Sequence, residues 1–379
     1  MCPLKRNIFI LAGEASGDMH ASALVKDIRK IDGNILFSGI GGSFLKSENV
    51  TLFSHYNEIN FIGLLSVLKN ASFLKKKLNE TARHILSSGY DAVILVDFPG
   101  FNLRLAEKIR NKYKGKIIYY ISPQVWAWHK SRVKKIKTLI DLMLVVFPFE
   151  VDFYRAEGVN AFYVGHPLVS RIDSFLLKNT KQQSKLPVIT LMPGSRNEEV
   201  LKILPGLVKT ADLILQNFSA RINILRSDNT DNTVIENITG GRNFEIVSGD
   251  NGNNYKTILN SDFVITKVGT SNLESGLLGT PFSAVYKAGK ANYLIGRALI
   301  NLDYISLVNI VLGKSIIREF IQSDFTPVNL FNETVKVLKN TEYRNKMKAG
   351  FGELRNVFKS MPVIKSAAEY IAEKVLFAD

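Results

Sequence analysis

A series of short, unbroken apolar runs separated by helix-length segments of mixed charge constrains this fold most. The runs cover residues 7–12, 92–96, 116–121, 142–146 and 161–164 in the first half. In the second half they cover 188–191, 221–225, 244–247, 263–265 and 282–286. A strand wetted on one face alternates polar and apolar residues, whereas continuous runs suit strands buried on both faces. Segments such as 21–31 and 103–112 lie between them as helices. Strands alternating with helices predict βαβ units and parallel sheets. With 379 residues, the chain suits two such domains rather than one core. The series restarts near Val188, after the polar, lysine-rich stretch 174–187, so the boundary is expected at about residues 167–187. A last helix, 363–376, follows the second series, and the sequence does not fix what it packs on.

Composition removes several classes. The single cysteine, Cys2, allows neither an internal disulfide nor a cysteine metal site. The apolar run from Ile8 to Ala12 is shorter than the ~7–15 residues of a signal core, and Glu14 and Asp18 follow it, so it reads as a buried first strand. The stretch 138–149 is too short for the ~20 residues of a bilayer span and contains Asp141. The chain is therefore expected to be cytoplasmic or bound to a membrane surface. A net charge of +15, from 49 basic and 34 acidic residues, favours an anionic partner: nucleic acid, anionic lipid or a phosphorylated substrate.

In open parallel sheets ligands bind beyond the carboxyl ends of strands, so the post-strand segments are the candidate sites. Gly13-Glu14-Ala15-Ser16-Gly17-Asp18 follows the first strand. It lets backbone approach a ligand or forms a tight βα turn, and it lacks the dinucleotide-binding glycine pattern. Gly39-Ile40-Gly41-Gly42 reads as a flexible loop or ordinary turn. Asp97 opens Asp97-Phe98-Pro99-Gly100-Phe101-Asn102 at a strand end, where a carboxylate takes a proton from an attacking hydroxyl or caps a helix. Ser122-Pro123-Gln124-Val125-Trp126-Ala127-Trp128-His129 holds both tryptophans, as lining for a sugar or acyl group or as core plugs. The basic segment after it, with Lys130, Arg132, Lys134, Lys135 and Lys137, also reads as a solvated face.

In the second half, Arg196 beside Gly194-Ser195 suits a diphosphate, because its planar fork binds oxygens in pairs. Gly269-Thr270-Ser271 opens a helix whose amides can hold phosphate, and Glu274, one turn on, can accept from ribose hydroxyls; a plain capped helix is the competing reading. Gly313-Lys314-Ser315 is not a P-loop, since Val308 stands where the first glycine is needed. The histidines have no zinc-helix spacing and no D-x-D triplet occurs, so a metal-free reaction is expected. Phe61, Ile62, Leu64, Leu65 and Leu68, then Phe73 and Lys75, Lys76 and Lys77, form either an interfacial segment for an anionic membrane or a core helix with a basic end.

Taken in order, these segments, with Phe147-Pro148-Phe149-Glu150, Val164-Gly165-His166-Pro167, Pro193-Gly194-Ser195-Arg196, Leu273-Glu274, Ser306-Leu307-Val308-Asn309 and Glu319-Phe320-Ile321-Gln322, resemble the lipid-A-disaccharide synthase family over roughly residues 5–330. The resemblance implies an α/β GT-B fold, two Rossmann-like parallel-sheet domains facing a cleft. Their expected extents are 1–167 and 168–349, with a C-terminal helix at about 350–379 packing back on the first. It implies an inverting, metal-independent transfer from UDP-2,3-diacylglucosamine to the 6-hydroxyl of 2,3-diacylglucosamine 1-phosphate (lipid X), giving a β-1,6-linked disaccharide and UDP. Under this reading Asp97 is the base, and Arg196, Gly269, Thr270, Ser271, Glu274, Asn309 and Gln322 hold the UDP-sugar. Glu14, Ser16, Asp18, Gln124 and Trp126 face the acceptor. The implied partners are the two lipid substrates and the anionic cytoplasmic face of the inner membrane; a homodimer is compatible and no nucleic acid is expected.

The chain departs from the family's usual residues at Val268 (often Ser), Val308 (often Pro), Gln124 (often Ser) and Gly100 (often Asp). The competing readings are another GT-B enzyme of UDP-sugars, such as a UDP-N-acetylglucosamine 2-epimerase, and a non-catalytic binder of anionic lipid or nucleic acid. The first would not be expected to carry Ser-Pro-x-Val-Trp-Ala-Trp. The second would bind DNA with a steep salt dependence that UDP does not relieve.

Overall fold

The computed structural model describes residues 6–60, 70–123, 131–249, 252–289, 293 and 303–376. In the first half the order is β1 (Asn7–Ala12), α1 (Ala15–Ile31), β2 (Leu36–Gly41), α2 (Ser43–Ser47), β3 (Thr51–His55), α3 (Ala71–Ser87), β4 (Ala92–Val96), α4 (Pro99–Ile109), β5 (Lys116–Tyr120), α5 (Ser131–Leu139), β6 (Leu142–Val145), α6 (Pro148–Ala156) and β7 (Ala161–Tyr163). The second half continues with α7 (Pro167–Leu176), β8 (Val188–Met192), α8 (Asn197–Asn217), β9 (Arg221–Arg226), α9 (Asn232–Thr239), β10 (Glu245–Ser248), α10 (Asn253–Asn260), β11 (Phe263–Lys267), α11 (Thr270–Leu278), β12 (Phe282–Tyr286), α12 (Leu307–Leu312), β13 (Glu319–Ile321), α13 (Pro327–Lys339), α14 (Thr341–Lys359) and α15 (Ala367–Val375).

The strands form two parallel sheets, ordered β3-β2-β1-β4-β5-β6-β7 and β10-β9-β8-β11-β12-β13. Each order reverses once, between β1 and β4 in the first sheet and between β8 and β11 in the second. At such a reversal the connections leave to opposite sides and open a crevice beyond the strand ends.

Both faces of the first sheet are buried, as the continuous apolar runs require. Phe9, Leu11, Val93, Leu95 and Tyr119 share one core with Ala82 and Ile85 of α3 and Leu105 and Ile109 of α4. Ile8, Ile10, Ile94 and Ile118 alternate with them and are also fully buried. α1 contributes buried Leu24, Val25 and Ile28, and α15 packs against α1 and β5.

The amino ends of the strands are stapled by aspartates. Asp91, just before β4, accepts from Asn7 N–H at 2.7 Å and pairs with Arg6. Asp141, before β6, accepts from Ile117 N–H at 2.8 Å and binds Arg110 through both oxygens. Asp262, before β11, accepts from Val188 N–H at 2.9 Å and pairs with Lys181. Each staple satisfies an amide at the start of a neighbouring strand.

The structure corrects three sequence expectations. Gly39-Ile40-Gly41 is the end of β2 rather than a loop. Position 39 in this strand requires glycine, because a β-carbon there would stand 1.8 Å from the carbonyl oxygen of Ile10 on β1. β3 and β13, both short, went unread. The compact units divide between Pro167 and Leu168, and the residues from Met361 onward belong to the first unit. The returning segment therefore starts later than residue 350. α14 is one unbroken helix that buries Met347, Phe351, Leu354 and Phe358 in the second unit.

Candidate active site

In the first unit, the switch between β1 and β4 brings together the segments that follow those strands. Asp97 and Phe98 both adopt left-handed backbone, with φ of 44° and 45°. Two consecutive non-glycine residues in this region carry strain that surrounding structure must over-determine. Buried Asn102 donates through Nδ2 to the carbonyls of Val96 (3.2 Å) and Asp97 (2.7 Å). The Tyr119 hydroxyl donates to the Asp97 carbonyl at 2.5 Å. The backbone is gripped from behind, so the carboxylate is aimed by structure and not by a flexible turn. Pro99, with its fixed φ, then starts α4 directly.

Burial, then the negative charge of Glu14, push the Asp97 carboxyl up to about 7; a hydrogen bond from Phe98 N–H opposes them, and the charge of Glu150 adds a smaller push. A carboxylate held near neutrality is a far better proton acceptor than an ordinary aspartate. Ser16 donates to Glu14 at 2.9 Å and orients it. Glu150 is fully buried; it accepts from Ser122 Oγ and from Phe147 N–H at 3.1 Å. Sequence reasoning placed neither Tyr119 nor Glu150 in the site. The signal for Glu150 was the proline and acid at the start of α6, the pattern of a helix beginning. Buried His166 packs edge-on to His20, with ring centroids 6.4 Å apart, and burial lowers it to about 3. It stays neutral.

Asp18 requires a correction. It is fully buried, and its carboxylate accepts from Gly42 N–H (2.7 Å), Phe44 N–H (3.0 Å) and Leu45 N–H (3.3 Å). Its oxygens cap the start of α2 and do not face a ligand. Gln124 and Trp126 lie outside the described residues, as do Phe61, Ile62, Leu64, Leu65 and Leu68. Of the expected membrane contacts that are described, Phe73, Lys75 and Lys76 are exposed on α3. Lys77 is instead paired with Glu58 at 2.5 Å. Its charge is engaged by a carboxylate of the protein itself.

In the second unit, the switch between β8 and β11 gathers Ser195, Arg196, Lys267 and the start of α11. Pairing of Thr266 with Met192 sets the segments after the two strands side by side. Gly269 is the N-cap of α11, and Thr270 and Ser271 form its first turn, where unpaired amides concentrate. Ser271 Oγ lies 2.7 Å from Thr266 Oγ1. Glu274 is buried; burial raises it to about 7, against the attraction of Arg171. Glu199 and Lys267, which sequence reasoning did not select, form an ion pair at 2.8 Å.

Asn309 and Gln322 do not match their expected role. Asn309 is fully buried; it donates to the Ile317 carbonyl and to Glu319 and accepts from Ile316 and Ile317 N–H. All its amide valences hold the approach to β13, a scaffold role rather than a donor contact. Gln322, at φ 53°, uses both ends of its amide on the Ala288 backbone, so it shapes the segment after β12. Among the described residues no group of three or more His, Cys, Asp or Glu is arranged to hold a metal ion. No helix among them is long and apolar enough to cross a membrane.

Two parallel sheets, each with its polar site at a topological switch, define a GT-B-fold enzyme. The solved structures agree on the fold. The UDP-GlcNAc 2-epimerase from Neisseria meningitidis superposes with a TM-score of 0.56 at 10% identity, covering 98% of this chain and 99% of its own. MurG from Acinetobacter baumannii superposes with a TM-score of 0.54 at 13% identity, covering 99% and 100%. The sequence decides the family. The family model described as Lipid-A-disaccharide synthetase matches residues 8–375. The lipid-A-disaccharide synthase of Geobacter metallireducens is 34% identical over 360 residues, 93% of each chain. That of Syntrophus aciditrophicus is 35% identical over 355 residues, 92% of each. The chain belongs to the lipid-A-disaccharide synthase family, and it is a glycosyltransferase that forms the lipid A disaccharide from lipid-bearing sugars.

Proposed function

We propose that the chain transfers 2,3-diacylglucosamine from its UDP derivative to the 6-hydroxyl of 2,3-diacylglucosamine 1-phosphate (lipid X), with inversion and without a metal. The strained, gripped backbone of Asp97, whose carboxyl stands near neutrality, carries this reading. Asp97 takes the proton from the acceptor hydroxyl as the oxygen attacks the anomeric carbon. UDP leaves from the opposite face with the bonding pair, so the β-1,6 link forms in one displacement. Arg196 and the amides at the start of α11, with Thr270 and Ser271, take up the negative charge on the diphosphate, the task a metal performs elsewhere. Glu274 accepts from the uridine ribose. Glu14, with Ser16 orienting it, keeps Asp97 basic. The enzyme works as a peripheral protein on the cytoplasmic face of the inner membrane, drawn by its +15 charge.

The test is disaccharide and UDP formation from the two lipid substrates in detergent with EDTA, comparing native protein with Asp97→Ala. Native protein should turn over with EDTA present. Asp97→Ala should lose at least about a hundredfold in rate, the scale of general-base catalysis, while binding UDP normally. A fast Asp97→Ala removes the base assignment, and a native rate abolished by EDTA and restored by a divalent cation removes the metal-free mechanism.

A further inference from the structure

Lys267 ends β11, one residue past the pairing of Thr266 with Met192, and so lies beside the turn that follows β8. Its ammonium is 2.8 Å from Oε1 of Glu199, in the first turn of α8. The same carboxylate accepts from Ser195 N–H at 3.0 Å and lies 3.4 Å from Arg196. The chain makes room for it: Gly194 has φ 131°, and a β-carbon there would stand 2.5 Å from Oε2 of Glu199. Two cations thus converge on one carboxylate, two residues before the Gly269 cap of α11. The two cations are thereby held beside the start of α11, where the oxygens of a dianion can replace the carboxylate as their partner.

We propose that Lys267 is a further ligand of the donor's diphosphate, with Glu199 as the built-in counter-ion that holds Lys267 and Arg196 in position until the diphosphate takes over. The proposal rests on the reading that the second unit binds UDP. Ammonium–phosphate bonds replace the carboxylate pair, and no covalent step is involved. Lys267 then contributes to donor affinity and to leaving-group stabilisation, and it acts only on ligands that carry phosphate.

The experiment compares UDP and uridine binding to native protein and to Lys267→Met, which keeps an unbranched side chain but removes the charge. Loss of a charge-assisted contact predicts UDP affinity about tenfold or more weaker, with uridine affinity unchanged. Equal weakening of both ligands, or no change in either, overturns the proposal and leaves Lys267 a purely structural partner of Glu199. Amine labelling of the native protein guards against a variant that misfolds. UDP should protect Lys267 from modification and uridine should not; labelling unchanged by UDP also overturns the proposal. If native protein binds no UDP, the underlying donor reading fails instead, a distinguishable result.

Discussion

Asp97 derives its character from three neighbours, two of which, Tyr119 and Glu14, a linear reading cannot place beside it. Asn102 and Tyr119 fix its backbone, and Glu14 adds a charge that opposes ionisation. A base works only when ionised, so kcat/KM should rise with pH along a limb centred near 7. Because Glu14 raises Asp97, neutralising it in Glu14→Gln should lower the Asp97 pKa and move that limb to lower pH. The pH profile of kcat/KM for both proteins measures this directly, and an unmoved limb would mean that burial alone sets the value. Asp97 and Asp18 illustrate the limit of residue-type reasoning. Both are aspartates near a glycine turn, yet one sits on a strained backbone with its carboxyl pushed up by burial and Glu14, while the other spends its oxygens on three amides.

At the level of elements, each sheet separates its work by edge. The carboxyl ends of β1 and β4 in the first unit, and of β8 and β11 in the second, carry the candidate residues of each, whereas the amino ends are stapled by Asp91, Asp141 and Asp262. Asp141→Ala should therefore destabilise the protein by about 1–3 kcal/mol, since it strands the Ile117 amide and the Arg110 guanidinium. KM and kcat should be unchanged below the new melting temperature. Denaturant unfolding with steady-state kinetics checks both, and a lost kcat in a well-folded variant would contradict the division. Ten strands were legible as apolar runs, most of them because both faces of the strand are buried. β2 was not, because its glycines resemble a turn and only tertiary contacts explain them, Ile10 against Gly39 and Leu45 and Asp18 against Gly41.

For the whole molecule, the charge of +15 and the exposed Phe73, Lys75 and Lys76 on α3 support attraction to anionic lipid. Binding to vesicles containing phosphatidylglycerol should weaken as salt shortens the Debye length. Reversing Lys75 and Lys76 to Glu should reduce it by roughly an order of magnitude, given ~1 kcal/mol per basic residue near the surface. Cosedimentation at low and high salt tests this, and binding equal to that of neutral vesicles would remove the electrostatic component. Lys77, in the same run of sequence, should contribute little because Glu58 already neutralises it.

The sequence by itself determined the α/β class, the parallel strands and the family, because burial on both faces, helix periodicity and ordered post-strand motifs are local properties. It also located Asp97, Arg196, Gly269 and Glu274 at strand ends or helix starts. Only the tertiary structure decided which of those ends are neighbours. The reversals of strand order at β1/β4 and β8/β11 bring Glu14 to Asp97 and Lys267 to Glu199. Folding likewise turned Asp18 and Asn309 inward, since an unpaired buried amide costs more than a carboxylate or carboxamide given up to satisfy it. Pairings between residues distant in sequence are set by register and packing, and no spacing along the chain records them.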